Sequence, residues 1–184
     1  YPLRRQRQMC IRDRYYTFGM YTLAHIFNLS LTSGIFPSKL KTSRTIPIFK
    51  SGSPLLCDNY RPISLLSTLS KLLEKFVCKQ LVNHLEGNDL LYKHQYGFQH
   101  GKSTEQNLIQ LTNFIHSALN DKKYAIGVFL DLKKAFDVCS HTILLRKLQK
   151  LGIRDKALEW FSSYLKHRLQ KVDINGSLST AKSL

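Results

Sequence analysis

The sequence predicts a helix-rich α+β fold. Three observations carry that expectation. Apolar residues recur at helical spacing in several stretches, short β-branched or continuously apolar runs lie between them, and no internal repeat ties the stretches into a solenoid. With 43% hydrophobic residues and ten phenylalanines, the 184-residue chain can bury a core and is too apolar for global disorder.

The elements follow in order. Residues 15–31 (YYTFGMYTLAHIFNLSL) are apolar at mixed helical spacing, and Gly34 with Pro37 ends the segment. Thr45 to Phe49 is a short β-branched strand that leaves into the turn Lys50-Ser-Gly-Ser-Pro54. Residues 59–64 are extended, because Pro62 disfavours helix at Arg61. From Thr68 to Leu85, Leu69, Leu72, Leu73, Phe76, Leu81 and Leu85 trace most of one helical face, with Gly87 as the stop. A polar loop from Tyr92 to Lys102 leads into Ser103-Thr-Glu-Gln106, a capping-box spelling. The helix behind it is expected to turn Leu108, Leu111, Ile115 and Leu119 inward. Tyr124 to Leu130 (YAIGVFL) is continuously apolar, as in a strand buried on both faces. Helices then run from Thr142 to Leu151, stopped by Gly152, and from Asp155 as N-cap to about His167. Leu169 to Ile174 with Asn175-Gly176 reads as the start of a hairpin.

Twenty-eight Lys and Arg against twelve Asp and Glu give a net charge of +16. A polyanionic partner is the simplest implication, and a basic surface without a partner is the plain alternative. Residues 1–14 hold five Arg and one Asp, so +4 of the charge sits there and +12 on the remainder. Residues 1–16 are therefore set apart as a basic tail, either a nucleic-acid arm or sequence foreign to the domain, the second being favoured. The rest, 17–184, shows no further boundary. Cys10, Cys57, Cys78 and Cys139 have no metal-binding spacing, so reduced thiols in an intracellular protein are expected. No apolar run is long enough for a membrane span.

The sharpest chemical signal is Asp131, where the apolar run stops. A carboxylate there is costly to bury unpaired, so it is either exposed or bound to a cation; an ordinary strand-ending aspartate is an equal alternative. The segment FLDLKKAFD, residues 129–137, resembles the first catalytic motif of reverse transcriptases, in the version found in non-LTR (LINE-like) retrotransposons. IPIFKSGSP and NYRPISLLSTLSKLLEK within 46–75, and HQYGFQHGKST at 94–104, resemble the same family's fingers motifs. HTILLRKLQKLGI and WFSSYLKHRLQKVDINGSLS follow in family order, so the likeness covers about residues 17 to 184.

The resemblance implies a right-hand polymerase, present as fingers and the first part of the palm and ending before the Asp-Asp hairpin. It implies an RNA-directed DNA polymerase that adds deoxynucleotides through two Mg2+ ions, with Mn2+ as the alternative. RNA template, DNA primer and dNTPs are the implied partners, and nuclear access for the parent element is the implied location. Asp131 is implied as the catalytic ligand of both ions, with the Leu132 backbone carbonyl as a further ligand. Phe136 falls on the family's aromatic gate, where its ring would fill the space of a ribose 2′-OH; core packing is the competing reading. Lys50 and Arg61 match the basic positions that grip the triphosphate, against a solvated turn and a salt bridge respectively. Asp137 is expected to cap or orient the next turn, and Ser140 replaces the family's usual acidic residue.

Two other readings compete. Gly97 to Ser103 looks like a phosphate-binding loop but is one residue short between its glycines. A non-catalytic nucleic-acid-binding or structural protein derived from a polymerase would use the basic charge equally well. Either way, these residues hold one carboxylate of a multi-carboxylate site, so the polypeptide alone is expected not to polymerise DNA.

Overall fold

The computed structural model describes residues 19–132 and 135–183, so the basic tail lies outside the described residues. They form helices α1 (19–33), α2 (Thr68–Gly87), α3 (Thr104–Asn120), α4 (His141–Lys150) and α5 (Asp155–Leu165). The strands are β1 (Thr42–Phe49), β2 (Tyr60–Leu65), β3 (Leu169–Ile174), β4 (Ser177–Leu178) and β5 (Lys182–Ser183). The fold is the expected mixture of helix and sheet. Its residues fall into two compact units: those up to Gln80 together with those from Ser140 onward, and Leu81–Cys139.

In the first unit α1 ends at Gly34, whose φ of +70° is the left-handed turn that glycine adopts without a Cβ penalty. The Ile35 amide bonds back to the Ser30 carbonyl at 3.1 Å. A Cβ at Gly34 would also meet the Glu159 side chain at 3.0 Å. The chain then drives Phe36 into a core with Leu73 of α2 and Trp160 of α5, all three at most 2% exposed. Burying each such side chain is worth roughly 1.5–3 kcal/mol. Polar groups register the core: Trp160 Nε1 donates to Ser30 Oγ at 3.0 Å, and Ser163 Oγ accepts from the Phe36 amide at 3.0 Å. The buried Lys41 ammonium donates to the Ser163 and Lys166 carbonyls at 2.6 and 3.1 Å, satisfying the C-terminal end of α5.

The sheet order is β2-β1-β3-β4, with β5 also on β3. β1 pairs antiparallel with β2 and parallel with β3, so the sheet is mixed. Pro47 lies opposite Pro62. Neither donates an N–H, so the pair fits only a non-hydrogen-bonded site of the ladder. The β3–β4 turn is Asn175-Gly176, both at positive φ, and Asp173 Oδ1 accepts from the Gly176 amide at 2.9 Å. Asp173 is buried and ion-paired to Arg44.

Four sequence expectations are corrected. Gly87 is the last helical residue of α2, and the left-handed stop falls on Asp89, φ +51°. Arg154, not Asp155, occupies the N-cap of α5, without a side-chain cap bond; Asp155 lies in the first turn. In the second unit α3 has no buried residue, so Leu108, Leu111, Ile115 and Leu119 do not pack inward. An amphipathic stripe is buried only if another face opposes it. Finally, Tyr124–Leu130 is no strand: Tyr124, Ile126, Val128, Phe129 and Leu130 are 79–97% exposed, and among the described residues no strand pairs with the segment. A strand buried on both faces takes its burial and its backbone partners from neighbours. The apolar run has the composition, and here it lacks them.

Candidate active site

The β1–β2 hairpin carries Lys50 and Arg61. Lys50 follows the last residue of β1 and its amide donates to the Asn59 carbonyl at 2.8 Å; Arg61 lies opposite Ile48. Opposed residues share a face, as do residues two apart, so both cations project from one side of the hairpin. The connection between them is ordered. Gly52 has φ +91°, where a Cβ would meet Asn59 Nδ2 at 2.7 Å, and that Nδ2 donates to the Ser53 carbonyl at 2.8 Å. Tyr60 Oη donates to the Pro54 carbonyl at 2.9 Å. Among the described residues neither Lys50 nor Arg61 is engaged in an ion pair. Two exposed cations flanking a hydrogen-bonded connection suit a polyphosphate, Arg as a fork and Lys as a point charge. The salt bridge weighed against Arg61 is not formed among them.

The remaining candidates belong to the second unit. Asp131 and Leu132 are exposed and lie outside regular secondary structure, at the end of the apolar run. Phe136 lies in the turn 135–138, closed by the Cys139 amide on the Phe136 carbonyl at 3.4 Å. Its ring is 82% exposed, which argues against core packing. It meets the ring of Phe98 edge-on, centroids 6.4 Å apart and planes at 82°. Sequence reasoning missed Phe98; its one signal was an aromatic in an otherwise polar loop. Phe98 holds φ +61°, a left-handed backbone that costs a bulky residue of order 1–2 kcal/mol.

The loop carrying Phe98 also disposes of the phosphate-loop alternative. Lys102 Nζ donates to the carbonyls of Lys93 and Gln95 at 2.9 and 3.1 Å, and it sits 5.5 Å from the centre of the Tyr96 ring. It is a loop brace. Ser103 caps α3, with both capping-box bonds formed: Ser103 Oγ accepts from the Gln106 amide at 3.3 Å and Gln106 Oε1 accepts from the Ser103 amide at 3.2 Å. Ser140 does the same work for α4, accepting from the Ile143 amide at 3.4 Å. Serine caps as well as aspartate, so the departure from the family's acidic residue costs the helix little. Asp137 is exposed within the 135–138 turn, with no side-chain bond among the described residues.

A hard cation would find correct chemistry but too little of it. Asp131 offers a carboxylate and Leu132 a carbonyl oxygen, whereas Mg2+ requires about six oxygen ligands. Among the described residues no group of three His, Cys, Asp or Glu is placed to hold a metal ion. These residues can contribute ligands and do not by themselves close a metal centre.

A family described as "Reverse transcriptase (RNA-dependent DNA polymerase)" matches residues 48–183. The chain is 36% identical over 163 residues to the RNA-directed DNA polymerase from mobile element jockey of Drosophila melanogaster, covering 88% of the chain and 18% of that protein. It is 40% identical over 130 residues to the probable RNA-directed DNA polymerase from transposon BS of the same species, covering 70% and 14%. A Pol polyprotein from type-1 retrotransposable element R2 of Popillia japonica is 30% identical over 154 residues, covering 84% and 21%. The chain thus spans about a fifth or less of these relatives.

Proposed function

The chain belongs to the reverse transcriptase (RNA-dependent DNA polymerase) family, on its non-LTR retrotransposon side, and from that membership we propose that it forms the fingers and first palm segment of an RNA-directed DNA polymerase. The whole protein adds dNTPs to a DNA primer on an RNA template. Reverse transcriptases in general use two metal ions, which offset triphosphate charge and stabilise the attacking and leaving oxygens. We assign Mg2+, with Mn2+ as a substitute. Asp131 supplies one ligand and the Leu132 carbonyl another, while Lys50 and Arg61 receive the triphosphate. Phe136 excludes the ribose 2′-OH.

One observation carries the reading. Within the family match, at the end of an apolar run, Asp131 is an exposed carboxylate that no described side chain takes up. Primer extension on an RNA template tests it. Asp131→Asn in the full-length protein, equal in shape but without charge, should lower extension at least about 100-fold, the scale of losing one electrostatic stabiliser. Retained extension would remove Asp131 from catalysis. The isolated 184-residue polypeptide should bind nucleic acid through its +16 charge yet extend no primer, because one carboxylate does not hold two cations. If it remained inert in every longer form, the non-catalytic nucleic-acid-binding reading would replace this one.

A further inference from the structure

Phe98 stands out among residues outside the assigned site. It is 95% exposed, so burial does not account for its bulk. It is held at φ +61°, so its backbone is not relaxed either. Strain of this kind persists only where the surroundings over-determine it. Here they do. Lys102 gathers the Lys93 and Gln95 carbonyls, the Gln95 amide donates to the Tyr92 carbonyl at 3.0 Å, and Gln95 Nε2 donates to the Gly97 carbonyl at 3.2 Å. His94 Nδ1 meets Gln110 Oε1 of α3 at 3.2 Å. The loop is braced at its base and anchored to a helix, and its tip delivers one aromatic ring to another, that of Phe136.

We propose that Phe98 is a positioning residue for sugar discrimination: its ring fixes the ring of Phe136 in the orientation that collides with a ribose 2′-OH. The proposal rests on the gate reading of Phe136 given above and deepens it. An exposed phenylalanine turns freely about two torsions, and a freely turning ring yields to a hydroxyl. A second ring set edge-on removes part of that freedom, because the positive edge of one ring prefers the negative face of the other. A loop without strain would not aim its aromatic there. The cation at its base is engaged by two carbonyls, which holds the loop that carries the ring. The substrate class set by the pair is the 2′-deoxynucleoside triphosphate.

The experiment is single-nucleotide incorporation by the full-length protein, comparing dNTP with rNTP. Phe98→Asn removes the ring while suiting the same left-handed backbone, so the loop keeps its course. It should lower the dNTP/rNTP ratio of kcat/KM by about two- to tenfold, mostly through a lower KM for the ribonucleotide, the scale of one aromatic pair. Phe98→Tyr, which keeps the ring, should hold the ratio within about twofold of wild type on the same scale. Combined with Phe136→Ala, Phe98→Asn should add nothing further. A ratio unmoved by Phe98→Asn but lowered by Phe136→Ala overturns this inference and leaves the gate standing. A ratio unmoved by Phe136→Ala overturns the gate reading and this inference with it. A fluorine label on the Phe136 ring reports the contact itself: its resonance should shift when Phe98 becomes Asn, and an unmoved resonance denies the pairing.

Discussion

Tyr164 shows how one residue in the first unit links packing to pH. Its ring stacks on Trp160 at 5.5 Å between centroids and receives the Arg168 guanidinium at 4.7 Å from its own centroid, with Glu74 nearby, 3.8 Å from that guanidinium. Burial, and after it the Glu74 carboxylate, raises the Tyr164 phenol above its ordinary value, with Arg168 pulling the other way. As pH climbs through the ordinary tyrosine value, the unfolded chain releases this proton first. Stability fully present below that value is then lost as pH rises through the raised folded one. Lys41 works in the opposite sense. Burial, then Arg168, lowers its pKa, so between the lowered value and the ordinary one rising pH favours folding. Substitution separates the two. In urea unfolding, Tyr164→Phe should lose less stability than wild type above pH about 10. Parallel losses would show that the phenol is not held protonated by the fold.

At the scale of elements, local chemistry was legible at most places where a residue acts on its own chain neighbours, the α2 stop and the α5 N-cap being misplaced by one or two residues. The capping box at Ser103, the Gly34 stop, the Asn175-Gly176 turn and the strand before Lys50 all appear as read. Each is decided within a few residues by φ preference or an orphan amide. Burial was legible only in part. Leu73 packs as its stripe implied, whereas the stripe of α3 and the run from Tyr124 to Leu130 stay exposed, since a sequence states which face is apolar and not what opposes it. Site residues divide the same way: Lys50 and Arg61 share a face because a hairpin is local, but the Phe98–Phe136 contact spans distant segments and left no periodic trace. The α3 cap offers a test. With no buried residue to hold it, α3 depends on its ends more than α2 does. Ser103→Ala should cost about 0.5–2 kcal/mol, and loss of amide protection should begin at residues 104–107 and spread along α3. A protection pattern unchanged in α3 would mean that packing, not the cap, sustains the helix.

Across the whole molecule, the first unit has both a buried core and a mixed sheet, and the second has neither among its described residues. Local stability follows buried apolar contact and ladder bonding, so the two units should open at different free energies. The first holds Phe36, Leu73 and Trp160 behind a hydrogen-bonded shell, and its β1–β2 ladder runs from Arg44↔Leu65 to Phe49↔Tyr60. The second displays Phe114, Leu119, Ile126, Phe129 and Leu130 to water, and the Asp131 carboxylate sits at the end of that wet run. A metal ligand of the kind proposed for Asp131 must be held within about half an ångström to act, and a segment without ladder partners does not hold one. On the role proposed for Asp131, its placement requires this run to be buried, and the isolated chain should reveal the need. In hydrogen exchange of the 184-residue polypeptide, amides 124–132 should exchange at nearly unprotected rates while those of the β1–β2 ladder remain protected. In the full-length protein, protection should appear over 124–132 together with the primer extension proposed for it. Strong protection of 124–132 in the isolated chain, without extension, would sink the idea that support of this segment governs extension.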